Sequence, residues 1–217
     1  MNALPLVLKG NGLQTSTALI LASTSSARRE IMRSAGLQFT AMGAGIDESD
    51  IKNNGQLNGE DADVVALTLA QAKADAVWRQ ATGMARTSWV IGADQMLSCE
   101  GEWFDKPSSL SDARSQLMKL RNRTHILHSA VVLMRDGVCL WRHVSRSELT
   151  MRAFSDEFLD CYLETEGEAC LESVGAYRLE GMGIHLFSSV HGDQSAILGL
   201  PLLPLLAALR QENLLLE

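Results

Sequence analysis

Asp94 follows directly on an apolar run, in Val90-Ile91-Gly92-Ala93-Asp94-Gln95. Such a run is too apolar to face water, and ligands of α/β sheets collect at the carboxyl ends of buried strands. A carboxylate there can bind a divalent cation or take a proton from an attacking water; the alternative is a turn-forming Asp. Lys106, stiffened by Pro107, follows a short hairpin that can return it beside Asp94, and a compact ammonium suits phosphate oxygens. Ser23, Thr24, Ser25 and Ser26 precede Arg28 and Arg29 where a helix begins. A helix N-terminus carries unpaired N–H donors and a partial positive charge, so two arginines there suit the helix poorly unless an anion joins them. The competing reading is a Ser-capped helix with solvated arginines. Glu48, in an acidic stretch from Ile46 to Asp50, could join Asp94 on a metal or be an ordinary surface carboxylate. No G-x-x-x-x-G-K-[ST] loop or dinucleotide fingerprint occurs, so Arg28, Lys73 and Lys106 have to serve in its place. His125, His128, His143, His185 and His191 read as structural or surface residues, with neither triad nor zinc spacing.

These groups need elements to hold them. The pattern predicts a strand over 18–22, a helix from Ser26 to Ala35 stopped by Gly36, and a second strand over 37–44. An Asn/Gly loop over 53–59 precedes a helix from Asp61 to about Gln80, with Val65, Leu69, Ala72 and Ala76 on its apolar face and Lys73 at the edge. A strand over 88–93 extends towards Cys99, with Trp103 and Phe104 returning after Glu100-Gly101. Ser111 is read as the cap of a helix through Leu120. Asp136-Gly137 joins two long antiparallel strands, His125–Met134 and Val138–Met151. Ser155 opens a helix ended by Gly167, Gly175 to Gly183 is a glycine-punctuated loop, Ile184 to Val190 a strand, and Pro201 to Arg210 the last helix. Residues 1–17 read as a loose leader before one domain over 18–217. The alternation predicts an α/β fold, a mixed twisted sheet with flanking helices in two lobes around a central cleft.

Hydrophobic residues make up 46% and charged residues 21%, ordinary for a soluble globular protein, and 217 residues can bury a core. A net charge of −7 argues against a nucleic-acid polymer as partner. Cys99, Cys139, Cys161 and Cys170 form no C-x-x-C pair and read as free thiols of a reducing cytoplasm. No apolar run is long enough to enter a membrane.

Taken together, L-A-S-T-S-S-A-R-R-E-I-M, I-D-E, L-A-Q-A-K-A-D-A-V, V-I-G-A-D-Q, D-K-P, S-V-G-A-Y-R-L-E-G-M-G-I and I-L-G-L-P-L, in that order, resemble the Maf family of nucleoside triphosphate pyrophosphatases. The resemblance implies a two-lobed fold related to the inosine triphosphatases and hydrolysis between the α and β phosphates with a divalent cation, Mg2+ or Mn2+. It matches Asp94 to the proton acceptor, and Ser23, Ser25 and Arg28 to a phosphate-binding turn. Lys73 and Lys106 match triphosphate contacts, and Glu48 an acidic position near the metal. It also implies a homodimer, and the family's name links it to septum formation, so a nucleotide-binding regulator is the alternative to an enzyme. Many members have Pro-Arg-Arg after the second Ser of the turn; here Ser26 and Ala27 fill the first two places, and Arg29 reads as a surface residue. Gln95 and Glu180 stand where pyrimidine-specific members, which act on dTTP and UTP, carry Thr and Gln. That combination resembles the subgroup acting on 7-methyl-GTP. A carboxylate can accept from both N1–H and N2–H2 of guanine, and methylation at N7 makes the base cationic, whereas uracil and thymine offer one donor between two carbonyls. Ala27, Gln95 and Glu180 are therefore the expected specificity positions.

Overall fold

The computed structural model describes residues 13–81 and 87–216. A seven-stranded sheet runs in the order β2-β1-β3-β5-β6-β7, with β4 on the far end of β3. The strands are β1 (Leu19–Ala22), β2 (Thr40–Ala41), β3 (Trp89–Cys99), β4 (Glu102–Phe104), β5 (Thr124–Arg135), β6 (Val138–Met151) and β7 (Phe187–His191). β1 pairs in parallel with β2 and β3, and all other pairings are antiparallel. Every residue of β1 is buried, as a parallel strand covered on both faces requires. The helices are α1 (Ser26–Ser34), α2 (Ser49–Leu57), α3 (Ala62–Gln80), α4 (Leu110–Leu120), α5 (Asp156–Glu166), α6 (Gln194–Ile197) and α7 (Leu202–Gln211).

Three apolar cores show how the sheet is covered. α3 packs on one face against Ile20, Val90 and Val132, while α1 and α7 cover the other through Met32, Leu205 and Leu209 against Leu21, Ile91 and Leu133. A third core lies at the far ends of β3, β5 and β6, where Leu97, Leu127 and Leu149 meet Leu117 of α4 and Tyr162 of α5. The first two cores form one lobe and the third a second, with a cleft where they meet. The buried stripe of α3 is Ala62, Val65, Ala66, Leu69, Ala70, Ala74 and Val77; Ala72 and Ala76 fall at its half-buried margin with Lys73. Small residues bring the helix very close to β3. A Cβ on Gly92 would lie 2.1 Å from the Ala70 carbonyl oxygen, so only glycine allows this contact.

Several elements differ from expectation. The strand expected over 37–44 shrinks to Thr40–Ala41, which pair only with Ile20 and Leu21 at the sheet edge. The Asn/Gly stretch over 53–59 is largely helical: α2 runs through it because buried Gly55 lies against α3, where a Cβ would come 2.5 Å from the Val65 side chain. Tertiary contact overrides propensity here. Ser109, not Ser111, caps α4 by accepting from the Asp112 N–H. β7 starts at Phe187, because residues Met182–Leu186 form a 3-10 turn, and α6 had no sequence signal. Of the expected leader, residues 1–12 lie outside the described residues. Gln14 is buried and exchanges two hydrogen bonds with the Gln38 backbone, both 2.8 Å, and pairs with Leu215 in an isolated bridge. All four cysteines are free thiols. Among the described residues, no helix is long and apolar enough to cross a membrane.

Candidate active site

A cavity of about 750 Å³ occupies the cleft between the lobes. β3 carries Asp94 to its floor and α3 carries Lys73 above it. α1 supplies Ala27, Arg28 and Arg29, the segment after β4 supplies Asp105 and Lys106, and the late glycine loop supplies Tyr177 to Glu180.

Asp94 is 4% exposed, with Oδ1 2.5 Å from Lys73 Nζ and Oδ2 buried without a hydrogen-bond partner. Burial pushes its carboxyl above the usual carboxylate range, with Lys73 and Arg28 pulling the other way. Lys73 Nζ also lies 2.7 Å from Glu48 Oε1, Lys52 Nζ lies 3.3 Å from Glu48 Oε2, and Lys52 donates to Asp105 Oδ1 at 2.6 Å. Charges alternate from Asp94 to Asp105 and tie β3, α3, α2 and the Lys106 segment together. Although burial opposes ionisation of Glu48, Lys73 and Lys52 hold its carboxyl below its usual range. Asp94 lines the cavity and its Oδ2 is an unpartnered carboxylate oxygen, the donor type that Mg2+ and Mn2+ take, and Glu48 stands across Lys73 from it.

The α1 turn is built around Arg28. Ser25 caps the helix by accepting from the Arg28 N–H at 3.4 Å. Ser23 is buried behind the turn, where its hydroxyl accepts from Ser25 N and from Arg28 Nη1 at 3.3 Å. Arg28 Nε donates to the Gly199 carbonyl at 2.7 Å, fixing the guanidinium between α1 and the segment after α6. Burial lowers its pKa and the Asp94 and Glu48 carboxylates oppose that. Ser23 thus orients Arg28 instead of lining the cavity, and Thr24 takes the cavity-facing place. Arg29, read as a surface residue, is half-buried and also lines the cavity, its Nε bonded to the Ser25 carbonyl. Lys106 makes no ion pair among the described residues, and burial and then Arg28 and Lys73 hold its pKa below the usual lysine value. An anion would relieve that repulsion.

The expected specificity positions Ala27, Gln95 and Glu180 all line the cavity. The Gln95 amide donates to Ser129 Oγ at 2.9 Å and to the carbonyls of Ala196 and Ile197 at 3.1 and 3.0 Å, so it clamps α6 and the cavity-lining Leu198 and Gly199. The sequence reading missed Lys52, Asp105, Glu172 and Arg178. Two had a signal: Lys52 stands four residues after Glu48, and Asp105 directly precedes Lys106.

Two of the five histidines are buried in structural positions outside the cavity. His128 is buried, with Nδ1 2.5 Å from Asp63 Oδ1 and Nε2 2.8 Å from Ser98 Oγ, the connectivity of a triad, assembled across α3, β5 and β3. Asp61, Asp63 and His128 could together offer a metal three ligand atoms, but Arg146 already pairs with both carboxylates. None of these residues lines the cavity; they pin the start of α3 to the sheet. His125 is buried too, its Nε2 2.8 Å from the Tyr177 hydroxyl and its Nδ1 unpartnered, and burial pushes its pKa down to about 4. Its folded pKa lies below the ordinary 6.5, so its stabilisation is complete above pH 6.5 and is lost as pH falls towards 4. The loss is about 3 kcal/mol. His125→Gln, which still bonds Tyr177 but does not titrate, is expected to show a smaller drop in Tm from neutral pH to pH 4. An equal drop would assign the acid sensitivity elsewhere.

Fold and site together define a mixed α/β protein with a cation-ringed cleft over one buried carboxylate. The chain belongs to the Maf family: residues 18–212 match the family described as Maf-like protein. It is 47% identical over 200 residues to a "Nucleoside triphosphate pyrophosphatase" of Gluconobacter oxydans, covering 92% of this chain and 97% of the relative. It is 48% identical over 197 residues to a protein of the same name from Granulibacter bethesdensis, covering 91% and 98%. A "7-methyl-GTP pyrophosphatase" of Rhizobium johnstonii is 48% identical over 193 residues, covering 89% and 95%.

Proposed function

We propose that this protein is a nucleoside triphosphate pyrophosphatase, a hydrolase that cleaves between the α and β phosphates to release a nucleoside monophosphate and pyrophosphate. The observation that carries the reading is buried Asp94 on the lining of the cavity, one carboxylate oxygen paired with Lys73 and the other without a partner among the described residues, with Arg28 and Lys106 lining the same cavity. In this mechanism Asp94 takes the proton of the water that attacks the α-phosphorus, and its raised pKa makes it a better base than a solvated carboxylate. Lys73 orients that carboxylate. Arg28 and Lys106 hold phosphate oxygens and stabilise the departing pyrophosphate, so positioning and charge neutralisation carry most of the acceleration. Asp94 and Glu48 would hold a divalent cation, which when bound neutralises charge on the phosphates.

Relatives carrying the general name and the 7-methyl-GTP name match this chain equally well, so the substrate reading rests on Ala27, Gln95 and Glu180. With a carboxylate at 180 lining the cavity, the base is guanine-like, 7-methyl-GTP included. A pyrophosphate-release assay over 7-methyl-GTP, GTP, dTTP and UTP tests both levels. Release from guanine nucleotides ahead of pyrimidine ones is expected, and Glu180→Gln should narrow that preference by roughly tenfold. A dTTP and UTP preference would move the protein to the pyrimidine branch, and binding without release would make it a nucleotide-binding regulator.

A further inference from the structure

Arg178 has no place in the mechanism above, yet it lines the cavity beside Glu180 and is held by two carboxylates. Its Nε lies 3.5 Å from Glu180 Oε1 and its Nη1 3.5 Å from Glu166 Oε2. The two carboxylates differ sharply. Glu180 is 44% exposed at the cavity, whereas Glu166, the last residue of α5, is 8% exposed and does not line it. Glu166 also grips the backbone of the same loop, since its Oε1 accepts from the Met182 N–H at 3.0 Å. The loop is closed tightly there. A Cβ on Gly181 would lie 2.8 Å from Glu166 Oε1, and one on Gly183 would lie 2.4 Å from the Arg178 carbonyl oxygen. Arg178 is therefore anchored from beneath by a buried carboxylate, and its Nη2 makes no hydrogen bond among the described residues.

We propose that Arg178 is a specificity-determining residue that donates to O6 of a guanine-type base while Glu180 beside it accepts from N1–H and N2–H2. Glu166 is the positioning residue that holds Arg178 in that pose without touching substrate. The inference rests on the reading of Glu180 given above and extends it. Guanine presents one acceptor followed by two donors along this edge, and an arginine next to a carboxylate presents the complement. Adenine presents a donor and then an acceptor, which opposes like to like at both groups and leaves them unpaired. Because Glu166 also pairs with Arg178, the guanidinium keeps a counter-charge when Glu180 turns to the base.

The test compares guanosine, inosine and 2-aminopurine riboside triphosphates as substrates of the full chain by pyrophosphate release. Inosine keeps O6 and N1–H, while 2-aminopurine lacks O6. Arg178→Met is expected to lower kcat/KM for the guanosine and inosine nucleotides by roughly tenfold or more and to leave the 2-aminopurine nucleotide unchanged. Glu166→Gln keeps an oxygen for the Met182 N–H but loses the charge. It should raise KM for the same two nucleotides about two- to fivefold with kcat unaltered, and add nothing in the Arg178→Met background. Equal losses on all three nucleotides, or a Glu166→Gln effect that persists without Arg178, would reduce both residues to scaffolding and overturn the proposal. Glu180→Gln separates the two levels of inference. If it leaves the ranking of guanine over pyrimidine nucleotides unchanged, the Glu180 reading fails and takes this one with it. If it narrows that ranking while Arg178→Met leaves the guanosine to 2-aminopurine ratio intact, the Arg178 assignment alone is refuted.

Discussion

Asp94→Asn is expected to lower kcat by about 10²–10⁴-fold while leaving nucleotide binding largely intact, since the amide matches the carboxylate in shape but cannot take a proton. The side chain is buried on a strand locked between β1 and β5, so the substitution should not move the floor of the cavity. Steady-state turnover with titration of the bound nucleotide separates the two effects. Retention of wild-type kcat would remove Asp94 as the base. In the proposed mechanism the active form is the carboxylate, and burial raises its pKa above the usual range. Activity should therefore fall on the acid side at a pH higher than an ordinary Asp would give, and that limb should vanish in Asp94→Asn.

Lys73→Gln should rank second, with a loss of roughly 10²–10³ in kcat. Lys73 is the one side chain bonded to both Asp94 and Glu48 among the described residues, so its loss leaves two carboxylates facing each other without the ammonium between them. The sign of its pH effect follows from the charges. Lys73 opposes the burial-driven rise in the pKa of Asp94, so removing it drives that pKa higher. The acid limb of the pH–rate profile should shift to higher pH in this variant. A shift to lower pH, or none with full activity, would separate Lys73 from Asp94.

How much of this could be read from residues alone varied with the range of the interaction. β1, α1, α3 and the long β5–β6 hairpin follow from local signals: an apolar run, a Ser cap, helical spacing and Asp136-Gly137. α2 did not, because an Asn/Gly-rich stretch has no helical preference of its own and becomes helical only where Gly55 meets Val65. The hydrogen-bond partners of Ser23 and Gln95 were not legible for a related cause. Both are polar residues beside the cavity, and sequence cannot show that one hydroxyl faces Arg28 or that one amide faces the α6 carbonyls.

The sequence by itself showed which groups are at hand: a carboxylate directly after an apolar run at Asp94, cations at Arg28, Lys73 and Lys106, and, through the family resemblance, a carboxylate at 180 in the late loop. Residue type and local spacing carry that information because charge and strand or helix periodicity are local properties. Asp94 was expected just past a strand end, but β3 runs on through it to Cys99 because its pairing with β5 continues. Tertiary structure alone decided which of these groups act on one another. Packing of α3 across Gly92 sets Lys73 against Asp94, and the return of the Lys52–Asp105 segments completes the charge relay. α5, far along the chain, places Glu166 beneath Arg178. Ion pairs and pKa shifts depend on distances of a few ångströms between segments remote in sequence, and only the packed cores set those distances.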